Sequence, residues 1–128
     1  MHVDGHCHCG QLRYEAEIDP ENVLICHCTD CQSLSGSAFR TVVLANEGTF
    51  RFLAGEPRRY IKTGDSGTRR VQAFCGNCGS HIYSGPVEGE LGPLGIRVGT
   101  ARQRDQLVPQ SEYFVGSAQS WARGCISD

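Results

Sequence analysis

The sequence predicts a mainly β domain with little helix. Sixteen glycines and five prolines divide the 128 residues into short pieces, which favours strands joined by turns over long helices. Residues 11–18 alternate between polar and apolar side chains, the period of a strand with one buried face. Further segments rich in β-branched and aromatic residues follow at intervals of roughly 8–12 residues, a spacing typical of all-β domains.

The strands are expected to follow one another along the whole chain. After the alternating stretch 11–18, a short apolar run at 23–25 leads into a cysteine cluster. The other predicted strands rest on β-branched and aromatic content, and they cover 39–44, 49–53, 59–62, 71–74, 81–84, 94–98 and 113–115. One short helical turn is expected over 29–34, within a stretch free of glycine and proline.

Length and charge restrict the class of protein. The length predicts a single domain over 1–128. A net charge of −2 provides no electrostatic reason to bind nucleic acid. No apolar run approaches the roughly 18–20 residues that a membrane span needs, and the N-terminus has no apolar stretch typical of a secretory signal. We therefore expect a cytoplasmic protein that binds neither nucleic acid nor membrane.

Seven of the eight cysteines fall into three tight clusters, which are Cys7-x-Cys9, Cys26-x-Cys28-x-x-Cys31 and Cys75-x-x-Cys78. Thiols at these spacings can surround one soft cation, and tetrahedral zinc prefers such a set, with sulfur at about 2.3 Å. A disulfide framework is the alternative. It is disfavoured because the cysteine content lies below the roughly 8–10% of disulfide scaffolds, and because thiols stay reduced in the cytosol.

The third cluster continues into Gly79, and this Cys-x-x-Cys-Gly motif predicts a sharp turn whose amides point back at the sulfurs. Gly79 would tolerate the positive φ of such a turn. Cys7 and Cys9 are expected on the same side of a strand, with Gly10 absorbing a bulge. If these two pairs share one zinc, four thiolates leave no open coordination position, and the site is structural.

The second cluster offers three thiolates within six residues. His27 is disfavoured as a fourth ligand, because in an extended segment it points away from its neighbours. Other candidates without a recommending spacing are His6, His8, His81 and Cys125. If water or substrate takes the fourth place, the site has the form of catalytic zinc, and its net charge near −1 suits deprotonation of a substrate thiol. The alternative is a weakly held zinc that only organises a loop.

The order of these motifs resembles the glutathione-dependent formaldehyde-activating enzyme (GFA/CENP-V) family. The resemblance runs from Gly5 to about Trp121 and includes the three cysteine clusters, Gly36-Ser37-x-Phe39 and Phe74-Cys75-x-x-Cys78-Gly79-Ser80. It departs in the C-terminal third. Residues 99–105 read Gly-Thr-Ala-Arg-Gln-Arg-Asp where the family often has Gly-Thr-Leu-Asp-Asp. Residues 109–113 read Pro-Gln-Ser-Glu-Tyr, so Glu112 occupies the position after Pro-x-x at which the family commonly has a histidine.

The resemblance implies a β-tent fold of stacked antiparallel sheets and two zinc ions per chain. It implies a structural zinc held by Cys7, Cys9, Cys75 and Cys78. It also implies a catalytic zinc held by Cys26, Cys28 and Cys31. The implied reaction joins a small-molecule thiol, glutathione, to an aldehyde, formaldehyde, and belongs to the carbon–sulfur lyases.

The expected function is therefore that of a zinc-dependent carbon–sulfur lyase acting on a thiol–aldehyde adduct, in the manner of S-(hydroxymethyl)glutathione synthase. The amides and hydroxyls of 33–37 are candidates for stabilising the oxyanion, because they follow the third thiol directly. Two alternatives remain. One is a zinc-scaffolded binding module or adduct carrier without turnover, and the other is a thiol redox protein in which the second cluster forms a disulfide.

Overall fold

The computed structural model describes residues 1–124, and Cys125 lies outside them. Nine strands and one α-helix make up the regular structure of this part of the chain. The strands are β1 (His2–His6), β2 (Arg13–Cys26), β3 (Arg40–Ala45), β4 (Arg51–Ala54), β5 (Arg58–Thr63), β6 (Arg69–Phe74), β7 (His81–Pro86), β8 (Gly95–Arg97) and β9 (Ser111–Tyr113). The helix is α1 (Thr29–Ser35), and short 3₁₀ segments lie at Val98–Thr100, Arg104–Gln106, Val115–Ser117 and Ser120–Ala122. No described helix is long and apolar enough to span a membrane.

The strands are hydrogen-bonded in the order β1-β2-β3-β8-β7-β6-β5, and every pairing along this path is antiparallel. Two strands lie off the path and both pair with β2, β4 in antiparallel and β9 in parallel orientation. The predicted mainly β, antiparallel fold is confirmed. The long strand β2 connects the parts of the structure, because its first half pairs with β1 and β4 and its second half with β3 and β9.

The main core lies between these two parts. Leu12, just before β2, and Tyr14, Ala16 and Ile18 in its first half are all buried, as the period-two pattern predicts. The aromatic ring of Phe50 contacts both parts. Its centroid lies 5.2 Å from the ring centroid of Tyr14 in β2 and 5.0 Å from that of Tyr83 in β7. Burying apolar side chains in this way stabilises a domain by about 25 cal/mol per Å² of apolar surface.

The sequence-based elements correspond closely to the observed ones, with three differences. Residues 13–18 of the first predicted strand and the stretch 23–25 belong to one continuous strand, β2, whose pairing with β3 shifts register between Ile18 and Val23. The N-terminal strand, expected around Cys7 and Cys9, lies earlier in the chain as β1 and ends at His6. The last predicted strand, 113–115, ends at Tyr113, because Phe114 adopts a left-handed backbone with φ of 57°. The predicted helical turn is confirmed as α1.

Candidate metal centres

Two groups of cysteine side chains come together in the described residues, and each could hold a metal ion. The first consists of Cys7, Cys9, Cys75 and Cys78, whose sulfur atoms all lie within 4.8 Å of one another. The Sγ atom of Cys9 is 3.6 Å from that of Cys7 and 3.7 Å from that of Cys75. A zinc–sulfur bond of about 2.3 Å gives a tetrahedron with an edge of roughly 3.8 Å, so the arrangement fits a tetrahedral zinc.

Turn geometry explains how the chain brings these four thiols together. At the third cluster, the amide N–H groups of Asn77 and Cys78 both point to the Sγ atom of Cys75 at 3.4 Å. Gly79 has a φ of 80° and donates its N–H to the Cys75 carbonyl at 2.9 Å. The predicted turn with amides directed at sulfur is confirmed. Such hydrogen bonds favour the thiolate form that a metal ligand requires.

The first pair of thiols is presented differently from the prediction. Cys7 lies just beyond β1 and Cys9 lies in the turn that follows, so the expectation of two thiols along a strand with a bulge is wrong. Within this turn Gly10, with a φ of 82°, donates its N–H to the Cys7 carbonyl. The Leu12 N–H points to the Cys7 sulfur at 3.3 Å. A turn can aim both thiols at one point, as the turn of Cys75 and Cys78 also does.

Ser80 completes the surroundings of the first group. Its hydroxyl oxygen lies 3.3 Å from the Cys78 sulfur and accepts the His8 N–H at 3.0 Å. Hydrogen bonding by Ser80 lowers the pKa of Cys78 to about 5, whereas burial raises the pKa of Cys7. The half-buried Cys78 therefore favours the thiolate form more strongly than the buried Cys7 does.

The second group consists of Cys26, Cys28 and Cys31, whose sulfur atoms also lie within 4.8 Å of one another. Cys26 ends β2, Cys28 is the N-cap of α1, and Cys31 lies in its first turn. The Cys28 sulfur accepts the Cys31 N–H at 3.2 Å, so the side chain that caps the helix is itself a candidate ligand. The Cys28 and Cys31 sulfurs are 2.8 Å apart and would separate by about 1 Å around a tetrahedral zinc.

The three thiols of the second group influence one another strongly. The hydrogen bond between Cys26 and Cys31 lowers the pKa of Cys26 and is the main cause that raises the pKa of Cys31. Burial raises the pKa of Cys28. Thiols this close cannot all ionise without a counter-charge, because like charges disfavour ionisation. A divalent cation would supply it, so this donor set also fits zinc.

His27 points away from the second group. Its side chain is 0% exposed, and its Nε2 atom lies 2.8 Å from the Glu112 carboxylate of β9. Its backbone N–H donates to the Tyr113 carbonyl at 2.9 Å. Neither group of thiols includes a histidine among the described residues. His27 therefore ties the segment between two of the thiols to β9, a connection that the sequence-based reasoning did not predict.

We expect the His27–Glu112 contact to stabilise the fold. Replacing Glu112 with alanine would leave a fully buried imidazole without its acceptor, and losing such a partner costs about 1–3 kcal/mol. The free energy of unfolding of the metal-loaded protein, measured with denaturant, should fall by this amount. Glu112→Gln retains an acceptor oxygen and should lose less. Equal stability of Glu112→Ala and the wild type would contradict this role.

Two arginine side chains of the sheet lie near the second group. The sequence did not predict their presence there. Arg40 of β3 and Arg97 of β8 are 7% and 8% exposed. Both donate to the carboxamide oxygen of Gln72, Arg40 at 2.9 Å and Arg97 at 3.2 Å. Burial and the charge of Arg40 lower the pKa of Arg97 to about 9, so it remains charged at neutral pH. A lone arginine in a strand gives no signal for such a position.

Part of the segment 33–37, whose amides and hydroxyls are candidates for stabilising an oxyanion, closes the end of α1. The N–H groups of Gly36 and Ser37 both donate to the Gln32 carbonyl, which closes the C-terminus of α1. These amides are therefore engaged in helix capping. Next to them lies a shallow cavity of about 310 Å³. Its lining residues are Gln32, Gly36, Ser37, Ala38, Gln119 and Trp121.

The C-terminal segment reaches α1 through one glutamine. The Gln32 side chain donates to the carbonyls of His27 at 2.8 Å and Ser117 at 2.9 Å, and accepts from Gln119 at 2.9 Å. Trp121, 77% exposed, lines the cavity from the same side. The cavity is thus formed where the C-terminal segment packs beside the helix that carries Cys31.

Comparison with known proteins identifies the family of the chain and agrees with its fold. The family model of the glutathione-dependent formaldehyde-activating enzyme matches residues 2–117. Among solved structures, the crystal structure of a Rhodobacter sphaeroides protein is similar, with a TM-score of 0.64 and 19% sequence identity. That similarity covers 85% of this chain and 98% of the other, and at this identity it concerns the fold alone. No curated protein matches the sequence significantly. Because the family model spans most of its length, the chain belongs to the glutathione-dependent formaldehyde-activating enzyme family.

Proposed function

We propose that this protein is a cytoplasmic, zinc-dependent carbon–sulfur lyase that makes and breaks the bond between a small thiol and an aldehyde, with glutathione and formaldehyde as the expected pair. The observation that carries the proposal is the difference between the two cysteine groups. One offers four sulfur donors and the other only three. Tetrahedral zinc is saturated by four donors and retains an exchangeable position with three.

The proposed roles follow from this difference. Cys7, Cys9, Cys75 and Cys78 hold a structural zinc that fastens the N-terminal turn to the turn after β6. Cys26, Cys28 and Cys31 hold a second zinc. Zinc bound there would supply an open position at which a substrate thiol loses its proton. The end of β2 carries Cys26, while α1 carries Cys28 as its N-cap and Cys31 in its first turn.

The chemistry that these residues serve is an addition and its reverse. A thiolate sulfur forms a bond to the aldehyde carbon while the carbonyl π pair moves to oxygen, which takes up a proton. Holding both reactants together raises the rate, because the loss of translational freedom is met by binding. The cavity beside α1 lies next to the segment that carries the third thiol, and it offers amide and aromatic groups to a bound thiol compound.

Metal analysis and exchange kinetics together test the proposal. We expect purified protein to contain one zinc for each cysteine group and to accelerate formaldehyde exchange with glutathione, measured by exchange NMR. Cys31→Ser serves as the matched control, because it removes only one donor of the second group. Thiols add to formaldehyde unaided, so the rate must exceed both the protein-free rate and that of Cys31→Ser. Wild-type protein that holds both zinc ions without acceleration would instead be a binding module.

A further inference from the structure

Arg40, Arg97 and Gln72 form a buried polar unit on the same sheet face as the second cysteine group. Cys26 lies directly opposite Arg40 in the β2–β3 pair, and Arg97 lies opposite Val42, two residues further along β3. Residues opposite each other, and residues two apart on a strand, share a face of the sheet. The Cys26 thiol and both guanidinium groups therefore project from one face, which α1 approaches through the ion pair of Asp30 with Lys62.

This arrangement holds two positive charges close together out of water. The Gln72 oxygen bridges the two guanidiniums, and Gln72 is itself 1% exposed. Within residues 1–124, no carboxylate lies within ion-pair distance of Arg40 or Arg97. Buried like charges without a counter-ion are costly, since desolvation and repulsion act in the same direction. The unit thus requires negative charge from another source.

The three thiols supply part of that charge. Electrostatic interactions join Arg40 to Cys31 and join Arg97 to Cys31 and Cys26. Three thiolates around one divalent zinc carry a net charge of about −1, whereas two guanidiniums carry about +2. About one positive charge remains. The Nε atoms of both arginines are buried and have no hydrogen-bond acceptor within the described part of the chain. Two N–H donors therefore remain available in addition to the unbalanced positive charge.

We propose that Arg40 and Arg97, held together by Gln72, are positioning residues that select an anionic sulfur ligand, the substrate thiolate, at the open position of the three-cysteine group. This inference rests on the proposed function and makes it more specific. One added thiolate balances the remaining positive charge. A neutral ligand at the same position leaves the charge excess in place, so it gains nothing from the arginines.

Arg70 provides a matched control. It is a third arginine of the same face, on β6 two residues from Gln72, and its side chain is half-buried and donates to the Ser84 carbonyl at 3.1 Å. Burial and the charge of Arg40 lower the pKa of the Arg70 guanidinium, with no contribution from a thiol. Arg70→Gln therefore removes one positive charge of this face without removing a neighbour of the cysteine group.

The test measures ligand binding and does not depend on turnover. Cobalt-loaded protein is titrated with 2-mercaptoethanol, and binding is followed by the thiolate-to-cobalt charge-transfer absorption. We expect Arg97→Gln to weaken mercaptoethanol binding by at least about 10-fold, as for a buried charge partner. Arg97→Lys should bind mercaptoethanol almost as tightly as the wild type, and Arg70→Gln should change the affinity little. Imidazole, a neutral ligand for the same position, should bind Arg97→Gln as well as the wild type.

Other outcomes would overturn either the arginine role or the lyase proposal, and they can be told apart. Equal loss of imidazole and mercaptoethanol binding by Arg97→Gln would show a purely structural role. If Arg97→Gln loses affinity for 3-mercaptopropionate and propionate but not for mercaptoethanol, the pair binds a carboxylate. If Arg97→Gln binds mercaptoethanol as tightly as the wild type does, and the wild type is active, then the arginine role is wrong and the lyase proposal stands. If the wild type binds mercaptoethanol but does not accelerate thiol–aldehyde exchange, then the lyase proposal is wrong and the arginine role is unaffected.

Discussion

Replacing Cys78 with serine is expected to unfold the domain and release its metal. A structural zinc contributes about 10–16 kcal/mol to the folding of small zinc domains, and a whole domain is typically stable by only about 5–15 kcal/mol. Weakening one of the four zinc ligands therefore removes a large part of the free energy that keeps the domain folded. The four thiols also join the turn after β1 to the turn after β6, so their loss separates distant parts of the chain. Zinc content and circular dichroism of the purified variant measure the effect.

Cys31→Ser is the control for this prediction. Both substitutions change one sulfur to oxygen, but Cys31 belongs to the three-thiol group beside α1. We expect the Cys31 variant to remain folded and to contain less zinc than the wild type, with exchange activity lost. If Cys31→Ser unfolds the chain as readily as Cys78→Ser does, then the assignment of one structural and one catalytic zinc is wrong.

Gly5→Ala is expected to destabilise the protein by about 3 kcal/mol, the upper part of the usual range for overpacking. A Cβ atom on Gly5 would collide with the Thr100 backbone oxygen and lie 2.5 Å from the Tyr14 hydroxyl oxygen. Thr100 ends the 3₁₀ segment Val98–Thr100 and precedes Ala101, which forms an isolated β-bridge with Gly5, so its backbone oxygen cannot move aside without disturbing that bridge. The Tyr14 hydroxyl is also fixed, because it lies 2.8 Å from the Thr100 hydroxyl and belongs to a fully buried side chain.

Thermal unfolding measures the effect of Gly5→Ala, and we expect Tm to fall by roughly 10 °C for a domain of this size. Gly99→Ala is the matched control, since a Cβ there meets no atom within 4 Å and the residue is exposed. Its Tm should stay close to that of the wild type. Similar Tm values for Gly5→Ala and the wild type would show that β1 can move away from Thr100 at little cost.

Local sequence spacing was enough to predict the composition of each cysteine cluster and the turn around Cys75. Amides within a five-residue turn reach its sulfur whatever the rest of the chain does, because backbone geometry limits where they can point. The same reasoning failed for Cys7 and Cys9. Two thiols two residues apart fit a strand and a turn equally well, and only the hydrogen bonds of Cys7 with Gly10 and Leu12 distinguish the two.

The alternation of residues 11–18 and the content of β-branched residues likewise predicted most strands. They could not predict the partners. Strand β9 pairs in parallel with the second half of β2 and thereby brings Glu112 to His27 across 85 positions of sequence. Parallel pairing of this kind depends on where the intervening chain runs, and no local pattern reports that path.

The sequence by itself therefore determined which donors this protein can offer to a metal, three thiols in one cluster and four in two pairs, since ligand spacing is a property of a few adjacent residues. Only the tertiary structure decided what surrounds them. Arg40, Gln72 and Arg97 lie on three different strands and meet through the register of the sheet. Register is set by the packing of all strands at once, so the charge beside the three thiols becomes visible only when the sheet is assembled.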